Sequence, residues 1–510
     1  MAQNDGRFAL RTLDSSSGRW IIAATVLGSG MAAIDSTVVG IALPTIGREF
    51  HSPFGALQWI VTGYTLSLAA LLLLGGWLGD RYGRRRIFCV GVVWFVVMSA
   101  ACALAPNAQT LIVTRVLQGV GAALLTPGSL AIIESSFVDS DRGSAIGRWS
   151  GLGGVATAVG PLLGGYLIAA ASWRWIFLIN LPLGAVVLAV SIRHVPESRN
   201  PELSGRPDLA GALLAVLTLG GITFGLIEGP AFGWSDPAVI AMVVLGIVGG
   251  VAFVLVERAR ARPMLPLELF RNMQFSATNG VTFVIYAALG VTLFLLPVDL
   301  QVVSGYSPLE SGMALLPLTV IMLTLSARAG RLAYRIGPRL PMSIGPCVVG
   351  LGMALLARPP GTRSYVVAVL PGMVVLGLGL ALTVAPLTAT ALNSAPDSYS
   401  GVASAVNNCV ARLGSLIAVA AIPAIAGITR TSYLHPALLA PGFRNAAFMA
   451  SGLSVLGGIT SALLIRDQPS QSRRQLGPGD ERPPDACVTC ALDAAPLNTR
   501  TTIGDASGRD

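Results

Sequence analysis

The 510-residue sequence predicts an all-α integral membrane protein with fourteen transmembrane helices, two six-helix bundles plus two inserted linker helices. Three observations lead there. The chain holds fourteen apolar stretches of membrane-spanning length. Its arginines collect on alternate connections. A glycine-arginine pattern recurs 254 residues further on.

A hydrocarbon core about 30 Å thick needs about 20 apolar residues of helix. Stretches of that kind run over 20–43, 56–76, 87–105, 109–133, 144–170, 174–192, 209–228, 237–256, 275–298, 308–327, 340–357, 364–391, 400–428 and 443–465. The sixth and tenth have ragged edges. The first is too long for a signal-peptide core and follows Arg7, Arg11 and Arg19, so it is expected to stay as a helix.

Every cation among the 34 basic residues is an arginine. With both termini placed in the cytoplasm, 26 arginines fall on inside connections and tails and 6 outside, with Arg115 and Arg412 within spans. That asymmetry is the positive-inside bias, and an odd number of helices would scramble it.

Gly76, Leu78, Arg81, Gly83 and Arg85 recur as Gly330, Leu332, Arg335, Gly337 and Arg339. Each copy follows the second helix of a six-helix set. This divides the chain into a cytoplasmic segment 1–19, a bundle 20–192, two inserted helices 209–256, a bundle 275–465 and a cytoplasmic tail 466–510. Repeated halves are a mark of secondary transporters, whose substrate site lies near the bilayer midplane between them. The tail has no apolar period and is expected to be disordered.

Composition narrows the chemistry. The chain is 53% hydrophobic and 12% charged, with a mean hydropathy of +0.70. Soluble domains carry about twice that charge. Without lysine there is no P-loop to hold a nucleotide and no Schiff-base amine. Neither an enzyme nor a nucleotide-driven pump is expected, and nothing points to nucleic acid, a metal or another cofactor. His51, His194 and His435 fall in connections, so a histidine relay inside the membrane is not expected. Cys89, Cys102, Cys347 and Cys409 lie in apolar spans and read as packed thiols. Cys487 and Cys490 form a C-x-x-C in the tail with no second pair nearby, and read as chance thiols.

Four motifs carry the candidate site. Span 1 holds Asp35, the one acid placed deep in a span. An isolated buried acid favours its neutral form. Asp35 is therefore a candidate proton carrier or a contact for a cationic substrate, the alternative being a structural carboxylate. Glu134, Glu228, Asp299 and Glu310 lie nearer span ends. In span 4, Arg115 and Gln118 precede Gly119 and Gly121. A buried arginine calls for a carboxylate, a wet cavity or backbone carbonyls beside it. The loop Gly79-Asp80-Arg81-Tyr82-Gly83-Arg84-Arg85-Arg86 allows a tight turn, with Asp80 free to bind a helix N-terminus or a nearby arginine as a conformational latch. The alternative is that its arginines only anchor the loop. In span 5, Gly151 and the run Gly160-Pro161-Leu162-Leu163-Gly164-Gly165 suggest a pliable seam, or else static close packing.

In this order, the motifs resemble the drug:proton antiporter family of fourteen-span major facilitator transporters, over residues 20–465. The resemblance rests on Asp35-x-Thr37-Val38-Val39, the Gly79–Arg85 loop, Arg115-x-x-Gln118-Gly119-x-Gly121 and Gly160-Pro161-x-x-Gly164-Gly165, which marks antiporters in that family. Trp173–Phe177, Leu269–Asn272 and Gly305–Leu309 are similar to further family stretches. It implies a multi-pass, monomeric exporter in a bacterial cytoplasmic membrane. Such a protein moves small amphipathic or hydrophobic compounds, drugs or self-made metabolites, against protons by alternating access. An uptake symporter of the same fold is the rival, and a channel or membrane sensor is a more distant one. Two departures stand out. Gly40 sits where the family often has Asn, and Tyr334 replaces the acid of the first loop, which confines the expected latch to one half.

Overall fold

The computed structural model describes residues 11–200, 207–260, 263–357, 364–396, 399–428, 430 and 432–467. Among them are fourteen helices long and apolar enough to cross a membrane. They are α1 (Ser16–Glu49), α2 (Phe54–Tyr82), α3 (Arg84–Ala103), α4 (Ala108–Ser136), α5 (Ser140–Ala170), α6 (Trp175–His194) and α7 (Leu209–Phe232). The series continues with α8 (Pro237–Ala259), α9 (Met273–Val302), α10 (Pro308–Ile336), α11 (Arg339–Leu356), α12 (Leu370–Asn393), α13 (Gly401–Ile425) and α14 (Pro436–Leu464). The expected tail, with Cys487 and Cys490, lies almost wholly outside the described residues.

Most helices outrun their apolar stretches because polar residues finish the ends. Ser15, Asn107, Asp208 and Asp236 cap α1, α4, α7 and α8, each side chain accepting from a first-turn N–H. Both ragged stretches break internally, as does the stretch at 364–391, which is interrupted at Val369. α6 is interrupted after Leu178 and α10 after Met313. Pro182 and Pro317 stand four residues later, and a proline ring clashes with the carbonyl four positions before it.

Packing follows the repeat. In the first half α4 lies against α2 and α3, and α1 against α5 and α6. In the second, α12 lies against α10 and α11, and α9 against α13 and α14. The inserted α7 and α8 pack on each other. α7 also touches α2 and α13, one helix from each half, and Trp59 Nε1 donates to Glu228 Oε1 at 2.9 Å.

An even number of crossings returns the chain to the face it started from, here the terminal face. At the opposite face the halves meet. Gln58 Nε2 donates to the Val419 carbonyl at 2.6 Å, Gln301 Nε2 to that of Ile41 at 2.9 Å, and Tyr433 Oη to that of Ser52 at 2.6 Å. One apolar core there joins Ile41 and Leu57 of the first half to Leu295, Val298 and Ile422 of the second. Toward the terminal face the core divides. One cluster takes all its buried members, such as Ile21, Phe88 and Ile133, from the first half; another, with Phe275, Leu392 and Val406, comes from the second.

The cysteine expectation needs one correction. Cys102 is buried and Cys89 and Cys409 are half-buried, but Cys347 is exposed on α11, at the seam where its Sγ lies beside Gly458 of α14. His194 closes the last turn of α6 and stacks on Trp20 at 5.2 Å.

Candidate functional site

The deepest polar cluster gathers side chains from α1, α4 and α6. Asp35 is 0% exposed, Arg115 1%, Gln118 0% and Asn180 0%, so the cluster is sealed from solvent on every side. Arg115 and Gln118 are three residues apart on α4 and share a face. Arg115 Nη1 donates to Asp35 Oδ2 and, at 2.7 Å, to Gln118 Oε1. Gln118 Nε2 returns a bond to Asp35 Oδ1 at 3.0 Å, and Asn180 Nδ2 adds one at 3.2 Å.

Neighbouring helices fix the cation. Arg115 Nε donates to the Ile60 carbonyl of α2 at 3.1 Å, and the guanidinium carbon sits 4.3 Å above the Tyr64 ring. Asn180 also donates to Ser99 Oγ of α3 at 2.9 Å, which donates to the Phe177 carbonyl at 2.9 Å. Asn180 Oδ1 is buried without a donor. Asp35 is therefore not the isolated acid that the sequence suggests, since its charge is met by Arg115. An ion pair this deep is expensive to desolvate and very costly to leave half-broken. Anything that neutralises one partner must be felt through α1, α2, α4 and α6 together.

The loop at 79–86 is a second cluster, on the terminal face. Asp80 Oδ1 binds Arg84 Nε at 2.8 Å, one of the two partners open to it, and Arg84 Nη1 donates to the Ala131 carbonyl of α4 at 3.1 Å. Gly83 has φ +114°, a conformation an L side chain rarely adopts. A Cβ there would run into the Glu197 carboxylate. Glu197 Oε1 accepts from Arg85 N at 3.1 Å, and its Oε2 lies 3.7 Å from Arg85 and 3.6 Å from Arg86. Arg81 is exposed at the end of α2. All these partners lie in the first half.

The glycines of α5 divide. Gly160 abuts Thr37 and Gly164 abuts Val38, so both lie on the seam with α1. Gly165 meets the backbone of Pro308 and Leu309, while Gly312 of α10 faces the Pro161 carbonyl. Gly160-Pro161-x-x-Gly164-Gly165 thus serves two close contacts at once, one inside its half and one across to the other. Gly151 belongs to neither: nothing lies within 4 Å of where its side chain would begin. Its place in the expected seam is a correction, because glycine spacing alone does not say which face a helix turns inward.

Sequence reasoning missed Asn180, Ser99, Tyr64 and Glu197. Asn180 left a signal, as a lone amide in the run Phe177-Leu178-Ile179-Asn180-Leu181. Glu197 left none, since it reads as an ordinary loop acid. Among the described residues no group of three or more His, Cys, Asp or Glu is placed to hold a metal ion.

Residues 25–419 match the profile of the Major Facilitator Superfamily. The chain belongs to that superfamily. It is 35% identical over 418 residues to multidrug resistance protein Stp of Mycobacterium tuberculosis, covering 82% of this chain and 77% of that protein. It is 33% identical to the tetracenomycin C resistance and export protein of Streptomyces glaucescens, covering 79% of this chain and 74% of that protein. For puromycin resistance protein pur8 of Streptomyces alboniger the figures are 34% identity, 88% and 91%. Among solved structures, a bacterial homologue of the human lysosomal transporter Spinster, inward-facing and unoccupied, aligns with a TM-score of 0.63 at 16% identity, over 88% of this chain and 97% of that one. The inward-open xylose transporter XylE from E. coli aligns at 0.58 and 16%, over 88% and 97%. At such identities these two report the fold alone.

Proposed function

We propose that this major facilitator protein exports small amphipathic or hydrophobic compounds, drugs or antibiotics among them, in exchange for protons. It works as a monomer in the cytoplasmic membrane of a bacterium, with both termini in the cytoplasm. The halves that rock are 20–192 and 275–465, with 209–256 inserted between them. The relatives named for drug resistance and export support the substrate class. The arginine asymmetry supports the orientation. With that orientation, the face where the halves join is the outer one, and the face where the core divides is the cytoplasmic one, from which substrate would load.

The observation that carries proton coupling is the sealed Asp35–Arg115 pair. A proton on Asp35 cancels the carboxylate charge. Arg115 then still has Gln118 Oε1, the Ile60 carbonyl and the Tyr64 face to hold it, so the cation is not stranded. The released restraint acts on α1, whose Thr37 and Val38 form the seam with Gly160 and Gly164, and from there on α10 through Gly165. A proton event at Asp35 thereby reaches the contact between the halves. One charge crossing 100 mV supplies about 2.3 kcal/mol. At about 1.4 kcal/mol per tenfold gradient, one proton sustains about a 40-fold gradient of a neutral substrate.

A drug-susceptibility panel in a pump-deleted host identifies a substrate. Inside-out vesicles loaded with a proton gradient then give the test. Wild-type protein is expected to release protons when that substrate is added, and Asp35→Asn, compared per amount of folded protein in the membrane, to release none. Normal proton release by the variant ends the role given to Asp35. Proton movement with substrate in the uptake direction makes the protein a symporter instead.

A further inference from the structure

The inserted hairpin of α7 and α8 carries a buried pair of acids that the transport reading does not use. Asp208 caps α7: its Oδ1 accepts from Gly211 N at 2.6 Å and from Arg260 at 2.8 Å. Glu257 lies in the last turn of α8, where its Oε2 accepts from Leu265 N at 2.9 Å. Those contacts use one oxygen of each carboxyl group. The other two, Asp208 Oδ2 and Glu257 Oε1, are buried and have no hydrogen-bond donor. Asp208 is 8% exposed and Glu257 2%. A methyl group on Gly211 would lie 2.8 Å from both orphaned oxygens, and the two carboxyl groups are within hydrogen-bond reach of each other.

Two carboxylates facing each other at this range both accept and neither donates. Buried acceptors without donors are costly, and two like charges costlier still. Among the described residues, the charges bearing on Glu257 are Asp208 and Arg260. α2 brings its acid partner to the far end of α7, where Trp59 holds Glu228. Among the described residues, one cation therefore stands against two acids. A single proton between Oδ2 and Oε1 supplies the missing donor, satisfies both orphaned oxygens and brings the trio with Arg260 to neutrality.

We propose that Asp208 and Glu257 form a second proton-binding site, in which one proton bridges Asp208 Oδ2 and Glu257 Oε1 at the base of the inserted hairpin. The proton enters from the water at the terminal face, beside Arg260. Raising the pH removes it and leaves two buried carboxylates in opposition, which loosens the join between α7 and α8. Because α7 packs on one helix from each half, this site reports the pH of the terminal side to a hairpin that touches both.

Infrared difference spectroscopy of the full chain in nanodiscs, titrated with acid and base in sodium-free and sodium-containing buffer, tests the site. The expected result includes a protonated-carboxyl band that is lost on raising the pH, absent from both Asp208→Asn and Glu257→Gln and kept by Asp35→Asn. Loss of the same band from either variant identifies a single shared proton. A band pattern unchanged in both variants overturns the proposal, and so does a band that sodium abolishes, which makes the occupant a metal cation. Thermal unfolding gives a second reading. The amide in Glu257→Gln donates to Asp208 Oδ2 as the proton does, so the midpoint of this variant should hold as pH rises while that of the wild type falls. Parallel curves, or a Glu257→Gln protein that cannot be isolated folded, refute the shared proton.

Discussion

The glycine loops that repeat at 76–85 and 330–339 perform one task in common and one apart. In both, a glycine with positive φ turns the chain from the second helix of its half into the third: Gly83 at +114° and Gly337 at +92°. In both, an acid beyond the sixth helix of the half fills the space a side chain would need. Glu197 accepts from Arg85 N at 3.1 Å and Asp467 from Arg339 N at 3.0 Å. Arg85 reaches the Val195 carbonyl and Arg339 that of Ala462, so each arginine grips the end of its own bundle. Only the first loop adds Asp80–Arg84 and its bond to Ala131, because Tyr334 and Pro338 stand at those places in the second. The repeated part closes each six-helix ring. The unrepeated part ties α2 and α3 to α4 in one half alone, and that is where a difference between the halves can enter a transport cycle.

Substitutions can break this comparison. The largest effect belongs to Gly83→Val and Gly337→Val. Each forces an L side chain into a conformation costing about 1–3 kcal/mol and pushes the capping acid away. Folded protein recovered from membranes, followed by size-exclusion chromatography of fluorescent fusions, should fall several-fold for both. Tolerance at one position only means the loops are not equivalent.

Removing the acids is next. Glu197→Ala and Asp467→Ala each delete a helix N-terminal acceptor, a loss of about 1 kcal/mol. Thermal unfolding of the purified proteins should show two downward shifts of similar size. A shift confined to Glu197→Ala would make the first loop's ion pairs, and not the cap, the source of the effect.

The smallest effects on stability should come from Asp80→Asn and Tyr334→Asp. The Asp80–Arg84 pair is partly exposed, and such pairs contribute roughly 0–1 kcal/mol. Asp80→Asn should leave membrane abundance unchanged yet slow export in a vesicle assay. Tyr334→Asp should change neither, since proline at 338 offers no cation to pair with. Export undiminished in Asp80→Asn removes the latch role altogether.

How far the sequence could be read follows from the same contrast. Hydrophobic length and arginine placement act over single segments, so fourteen helices and their order were legible residue by residue. The repeat was legible because five positions recur at one spacing. Asp35, Arg115 and Gln118 each stood out as polar groups in apolar runs. Their meeting did not, because 80 residues separate Asp35 from Arg115 and any cavity would have served either charge. Asn180 was passed over because, unlike Gln118, it has no charged residue within a helical turn to draw attention to it. The Asp80–Arg84 pair has no equivalent in the second loop, but Asp467 was invisible as the counterpart of Glu197, being one more polar residue after a last apolar run. Gly151 misled in the other direction, since small residues mark close packing only when something packs against them.

The caps also set a timetable. The amide of Arg85 must wait for Glu197, 112 residues downstream, and that of Arg339 for Asp467, 128 residues downstream. At a synthesis rate of about 5–20 residues per second, that wait is on the order of ten seconds for each half. Once the third helix of each bundle has been made, its first turn stays unanswered for the rest of that wait. The second wait ends only after the final span has been made, so a nascent chain stalled between residues 339 and 467 presents one finished ring and one open one to the membrane's quality-control proteases.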